Sequence, residues 1–438
     1  MNADTPEAPS PATRQQEFLL GWLREERPKR LEQLWRMADL TRAQFAGDTV
    51  HVWGAVKISN HCVDDCVFCG LRAENRELKR YRMDADEIAS CAKRALELGC
   101  RTVLLQSGRD PQLADNLCDV IGRIRERTGL RVALSLGERS EAELAAWRKA
   151  GASCYLLRFM TANTTLYRLL HGGPVDDPRR RLPLLSTLKR LGYQVGSGVL
   201  VGFPGQSHES LADDLELMRT LDLDIVTIGP YIWPAEFGAW HRTPQPGDAN
   251  SPQTVLKVMA LARQLCPGAE IPSGAALSSV GTVEAHGLAL QRGANAVVVD
   301  LTPPGTRGEY RCYPDRVALE PAAFEHQAER LRGLIDRWRG GAATAASASG
   351  GPARPDKRVQ VCFCMGSSCF SRGNNRMVSA VKNQLARQGL ADRVAIEGHL
   401  CEGLCKEGPN VTIEGEMKHH AEAAEVVEAI RRHPKLKD

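Results

Sequence analysis

The stretch Asn60–Arg72 reads NHCVDDCVFCGLR and sets Cys62, Cys66 and Cys69 at spacings of three and two intervening residues. Thiols this close serve one centre. A structural zinc site closes with four ligands, and no fourth cysteine or paired histidine stands near; His61 directly follows a strand and is read as a bystander. Thiolates select iron-sulfur clusters or zinc. A four-iron cubane held by three cysteines keeps one iron open, which is an asset only where a small molecule must bind there.

A second group lies near the end: Cys364 and Cys369 with four residues between them, Cys401 and Cys405 with three, and Cys362 as a fifth thiol read as a bystander. Four thiolates complete a two-iron cluster. Zinc is the alternative, and a redox dithiol would use a Cys-x-x-Cys spacing that this part of the chain lacks. The other six of the 14 cysteines (Cys91, Cys100, Cys118, Cys154, Cys266, Cys312) are scattered among apolar residues. They read as ordinary small core residues.

These thiols need elements to position them. Eight short β-branched runs, 50–59, 101–108, 131–137, 154–159, 194–203, 224–232, 270–276 and 294–301, alternate with amphipathic stretches of helical period. That alternation predicts parallel pairing through right-handed crossovers and, with eight units, a closed (β/α)8 barrel of the TIM type. The cysteine triplet follows the first strand, in a loop at the carboxyl face where such barrels bind ligands. Residues 1–45 are expected to form a helical lead-in and 46–339 the barrel. The Gly-, Ala- and Ser-rich run GGAATAASASGGPARPDK, 340–357, reads as a flexible linker. Behind it, 358–438 reads as β-α-β-β-β-α, a small α/β domain.

At 438 residues, with 57 basic against 53 acidic side chains, the chain has room for several domains and a net charge of only +4. Such balance gives no electrostatic case for nucleic acid or anionic lipid. No apolar run approaches the roughly 18 residues of a membrane span. The polar start MNADTPEAPSPATRQQ lacks the apolar core of a signal peptide. A cytoplasmic location is expected, where thiols stay reduced and clustered cysteines bind metal.

Cys-x3-Cys-x-aromatic-Cys, with Phe68 as the aromatic, resembles the signature of the radical S-adenosylmethionine (SAM) enzymes. The resemblance implies a [4Fe-4S] cluster on Cys62, Cys66 and Cys69 whose open iron takes SAM. It narrows over residues 45–338: CGLRAENRELKRYRM, LLQSG, LSLGERS, YLLRFMTAN, RLPLLSTLKRLGYQVGSGVLVGFPGQ, IGPYI and LTPPGTRGEYRCYP resemble the HydE-type maturases of [FeFe]-hydrogenase. Biotin synthase and methylornithine synthase are more distant relatives. Carried over, Phe68, Ser135 and Arg158 are expected to shape the SAM pocket and Arg181 to pair with the carboxylate of SAM. Ser273, Thr302, Tyr310 and Tyr313 are expected on the substrate side. The chain departs from the family at Met160, where a carboxylate is expected to hold the ribose, at Arg109, where the family has Glu, and at Ser273-Gly274 and Thr306. These changes are expected on the cavity wall. Cys312, with no cysteine near it in sequence, argues against an accessory cluster.

The tail, 358–433, resembles the thioredoxin-like [2Fe-2S] ferredoxin, which implies a cluster on Cys364, Cys369, Cys401 and Cys405. A tethered ferredoxin raises the local concentration of an electron donor. The expected function is thus a HydE-type enzyme acting on a small-molecule or small iron- or sulfur-containing substrate, with hydrogenase maturation proteins and an upstream electron donor as partners. The alternatives are a biotin synthase- or methylornithine synthase-like enzyme with another small substrate, and a non-catalytic electron-transfer module.

Overall fold

The computed structural model describes residues 11–171, 181–232, 251–274, 276–277, 284–313, 358–364, 375–390, 393–399, 410–414, 416–420 and 422–436. The chain divides into two compact units, the larger spanning Leu20–Arg339 and the smaller holding Gly340–Asp438. The expected linker, Cys369, Cys401 and Cys405 lie outside the described residues.

Met1–Leu19, and so most of α1 (Pro11–Leu23), falls in the smaller unit; in the larger, α2 (Pro28–Ala46) precedes β1 (His51–Ser59). Strands and helices then alternate: α3 (Ala85–Glu97), β2 (Thr102–Ser107), α4 (Ala114–Thr128), β3 (Arg131–Ser135), α5 (Glu141–Ala150), β4 (Ala152–Leu156), α6 (Thr164–His171), α7 (Arg181–Arg190), β5 (Gln194–Val201), α8 (His208–Thr220), β6 (Ile225–Pro230), α9 (Pro252–Leu265), β7 (Pro272–Ser273), α10 (Glu284–Leu290) and β8 (Ala296–Asp300). Local chemistry marks the helix ends. Capping boxes, Asp84 with Glu87 and Ser140 with Glu143, start α3 and α5, and left-handed Gly129 and Gly151 stop α4 and α5.

The eight strands form one parallel sheet in the order β6-β5-β4-β3-β2-β1-β8-β7. Between β6 and β7 there is a single bridge, Ile225–Glu270, flanked by Val226 N donating to Glu270 O and Glu270 N to Asp224 O, both at 2.9 Å. The cylinder is thus nearly closed, joined there at its amino-terminal end. Both faces of the sheet are covered, so its strands read as near-continuous apolar runs. Trp53, Ala55, Leu104, Ala133, Cys154, Leu156, Ile225 and Ala296 pack together as an apolar floor inside the barrel. The expected seventh strand shrinks to two residues, because Pro272 has no N–H to extend a ladder.

The smaller unit carries β9 (Val359–Cys364), α12 (Asn375–Arg387), β10 (Val394–His399), β11 (Val411–Ile413), β12 (Glu416–Lys418) and α13 (Ala423–Arg431), the short helix Pro304–Arg307 before them being α11. Its sheet runs β10-β9-β11-β12, with β9 and β10 parallel and the remaining pairs antiparallel. Val359, Val361 and Phe363 alternate inward from β9 onto Val381 and Leu385 of α12 and Val426 and Ile430 of α13. Cys364 ends β9, in register with His399.

Candidate active site at the carboxyl ends of the strands

The cysteine loop leaves β1 at Ser59, and its backbone carbonyls need donors, since a loop builds no ladder of its own. Arg80 supplies them. Its guanidinium donates to the carbonyl oxygens of Asn60 (2.6 Å), Leu71 (2.8 Å), Arg72 (2.6 Å) and Asn75 (3.1 Å), and the loop wraps around it. The Asn60 side chain donates to the carbonyls of Lys79 and Glu309, both at 2.8 Å, and accepts from Tyr81 N at 2.8 Å. Beneath it, buried Asp110 takes a fork from Arg82 (2.6 and 2.9 Å) and the Ser59 hydroxyl (2.6 Å). Burial alone would raise the Asp110 carboxyl, but these partners hold it below its usual range.

Cys62, Cys66 and Cys69 are free thiols, partly buried. Two backbone N–H groups point at Cys62 Sγ, from Asp64 at 3.5 Å and Arg109 at 3.4 Å. Arg109 also forks onto Asp64 inside the motif, and Val63 N donates to Arg109 O at 3.1 Å. Arg109 therefore staples the cysteine loop to the loop after β2. Burial pushes the Cys66 thiol up to about 12 and raises Cys62 and Cys69 as well. Bare thiols in this pocket stay protonated, and a cationic centre that displaces the protons is what would ionise them. Among the described residues no three His, Cys, Asp or Glu side chains gather around one metal ion.

Phe68 packs with Met160 and Tyr231 against Leu166, Leu170, Leu200 and Phe203, and meets the His171 ring edge-on at 5.6 Å. Ser135 ends β3, half-buried and in register with Gln106. Arg158 follows β4 and reaches β6, its Nε donating to Thr227 Oγ1 at 3.2 Å. Burial pulls its pKa down, and Cys312, Tyr313 and Tyr310 are its electrostatic neighbours. Arg181, only 8% exposed, donates to Glu138 Oε1 at 2.8 Å and to the Arg158 carbonyl at 2.7 Å, above the Tyr167 ring. It is a buried, positioned cation already engaged by a carboxylate.

On the substrate side the structure places the expected residues as follows. Ser273 shares the register of Val297, on the outward face of the sheet, and its hydroxyl lies 2.8 Å from His286 Nδ1 on α10. Ser273 is thus not on the cavity wall. Thr302 is fully buried, its hydroxyl donating to Asp300 Oδ1 at 2.7 Å and accepting from Lys57 N at 2.9 Å, so it ties β8 to β1. Tyr310 does face inward, with Lys57 Nζ 5.8 Å from its ring centroid. Cys312, like Cys62 and Cys69, packs against Leu71, Leu78 and Tyr310, and its carbonyl accepts from Gly70 N at 3.1 Å. Gly198 serves packing, since a Cβ there would overlap the Thr227 carbonyl oxygen across β6.

Sequence reasoning missed an ion pair inside the barrel. Lys57 Nζ lies 3.0 Å from Asp300 Oδ2, both side chains buried above the apolar floor. It also missed Asp214 on α8, fully buried, which accepts from Thr161 Oγ1 (3.0 Å), Ala162 N (2.5 Å) and Gln206 Nε2 (3.4 Å) and so fixes the loop after β4. The signal for Lys57 was a lone charge inside an otherwise apolar strand. Asp214 sits in an acidic helix and gave none.

Comparison with known proteins follows these lines. Residues 56–218 match the radical SAM superfamily, and residues 352–433 match the thioredoxin-like [2Fe-2S] ferredoxin family. The chain is 39% identical over 292 residues to the [FeFe] hydrogenase maturase subunit HydE of Thermotoga maritima, a match spanning 66% of this chain and 80% of that one. It is 30% identical over 283 residues to 3-methylornithine synthase of Methanosarcina barkeri, spanning 64% and 77%. The crystal structure of methylornithine synthase (PylB) superposes with a TM-score of 0.57 at 27% identity, covering 65% of this chain and 81% of that one. The two family matches imply a [4Fe-4S] cluster with SAM in the barrel and a [2Fe-2S] cluster in the tail. Among the described residues no helix is long and apolar enough to cross a membrane.

Proposed function

The chain belongs to the radical SAM superfamily, with a fused thioredoxin-like ferredoxin domain, and on that premise we propose that it is a HydE-type enzyme of [FeFe]-hydrogenase cofactor assembly. Cys62, Cys66 and Cys69 hold the [4Fe-4S] cluster; Cys364, Cys369, Cys401 and Cys405 hold the [2Fe-2S] cluster. A [4Fe-4S] cluster held there by Cys62, Cys66 and Cys69 would supply the single electron for reductive cleavage of SAM. The chain's own residues do the positioning. Arg80 and the Arg109–Asp64 fork fix the cysteine loop, and the amides of Asp64 and Arg109 favour the Cys62 thiolate. Phe68, Ser135, Arg158 and Arg181 line the SAM side. The barrel walls exclude water from a substrate held beneath Tyr310 and Tyr313, near the Lys57–Asp300 pair.

The observation that carries the reading is three thiols within eight residues on one loop, held by Arg80 and Arg109 at the carboxyl ends of the strands, in a chain 39% identical to a HydE. The fused domain serves as electron donor to the barrel, and the substrate is small and carries iron or sulfur. Adding the purified chain to a hydrogenase maturation system that lacks only its HydE component tests this, with recovered hydrogenase activity expected. Cleavage of SAM without recovery would sink the maturase assignment while keeping the radical chemistry. Formation of 3-methylornithine would favour the second reading, to which the 30% identity with that synthase points.

A further inference from the structure

His171, the last residue of α6, keeps its Nδ1 at 2.9 Å from the Tyr167 carbonyl oxygen. A carbonyl only accepts, so Nδ1 carries the proton and Nε2 is a bare acceptor. That atom is shut off from solvent and has no hydrogen-bond partner among the described residues. The ring is held in place: it stacks on Tyr167 at 4.0 Å and 19° and meets Phe68, between Cys66 and Cys69, at 79°. Val67 N donates to Leu170 O at 2.9 Å, which ties the cysteine loop to the end of α6. Burial, then the Arg181 cation, hold the imidazole down at about 4, so at neutral pH it is uncharged and Nε2 keeps its lone pair. Met160, packed in the same cluster as Phe68, offers only the weakly accepting sulfur of a thioether. An orphaned acceptor in a packed aromatic site is costly unless a ligand donates to it.

We propose that His171 Nε2 seats the nucleoside of SAM beside Phe68, accepting a hydrogen bond from a ribose hydroxyl or the adenine amine. This rests on the radical SAM reading and adds a nucleoside-specificity residue to it. The test is anaerobic calorimetry on the cluster-loaded full chain with SAM, 5'-deoxyadenosine and methionine as probes. His171→Phe keeps a ring between Tyr167 and Phe68 and removes the acceptor. It should weaken SAM and 5'-deoxyadenosine about tenfold, the loss of one neutral hydrogen bond, and leave methionine unchanged. His171→Gln, whose amide oxygen accepts, should keep most of the affinity. Equal binding of 5'-deoxyadenosine by wild type and His171→Phe overturns the proposal. So does a loss in His171→Gln as large as in His171→Phe, which guards against a merely structural effect. A wild-type protein that binds neither SAM nor 5'-deoxyadenosine overturns the radical SAM reading itself. With 5'-deoxyinosine as a fourth probe, a persisting wild-type advantage assigns the donor to the ribose, and its disappearance assigns it to the amine.

Discussion

Gly108 follows β2 where that strand's loop meets the cysteine loop. A Cβ built there would stand 2.6 Å from Cys62 Cβ and closer still to the His61 carbonyl oxygen. Carbon atoms in good contact stand about 3.5 to 4.0 Å apart, so Gly108→Ala forces the two loops apart by about 1 Å. Neither neighbour can swing away, because one is backbone and the other the root of the first cluster thiol. Overpacking of this kind costs about 1 to 3 kcal/mol of stability, and a displacement of about 1 Å at a reacting centre costs up to roughly a hundredfold in rate. The assay is iron content after anaerobic reconstitution, followed by 5'-deoxyadenosine formed with dithionite. Gly122→Ala, in α4 with nothing within 4 Å of the added carbon, is the control. It should load like wild type and gain about 0.5 to 1 kcal/mol. Full iron content and wild-type turnover in Gly108→Ala would refute the claim that this close approach sets the position of Cys62.

Lys57→Met strands the buried Asp300 carboxylate and should cost about 3 to 5 kcal/mol in denaturant unfolding, with Lys57→Met/Asp300→Asn recovering a large part; a double variant no more stable than the single would remove the ion pair from the account. Burial raises Asp214 to about 7, against 3.8 for an ordinary aspartate, despite its three donors. The folded protein then keeps a proton that the unfolded chain has lost, so its contribution falls as pH rises from about 4 to about 7 and is level above. Asp214→Asn should flatten that part of the melting-temperature profile, and superimposable profiles would contradict it. Deleting residues 340–438 should spare dithionite-driven SAM cleavage and slow turnover with a physiological reductant; equal slowing with both would remove the donor role of the tail.

The eight strands were legible because each is a β-branched run between helical periods, and the site was legible because its thiols are adjacent in the chain. What joins distant segments was not. Lys57 finds Asp300, and Cys312 reaches the apolar cluster that Cys62 and Cys69 also pack against, only because the barrel closes β8 against β1. Arg80 sat in a stretch, KRYRM, where a single guanidinium holding four loop carbonyls looks like any basic residue. Ser273 was misplaced because a two-residue strand after Pro272 is too short for alternation to tell inside from outside.

The central claim is that Cys62, Cys66 and Cys69 carry the cluster that cleaves SAM. Its most direct measurement is 5'-deoxyadenosine formed from SAM by anaerobically reconstituted, dithionite-reduced protein, scored beside iron bound per chain. Product is expected from the wild type and none from Cys62→Ala, Cys66→Ala or Cys69→Ala, each having lost the barrel cluster's iron while retaining that of the tail. Continued 5'-deoxyadenosine formation by the triple alanine variant would contradict it.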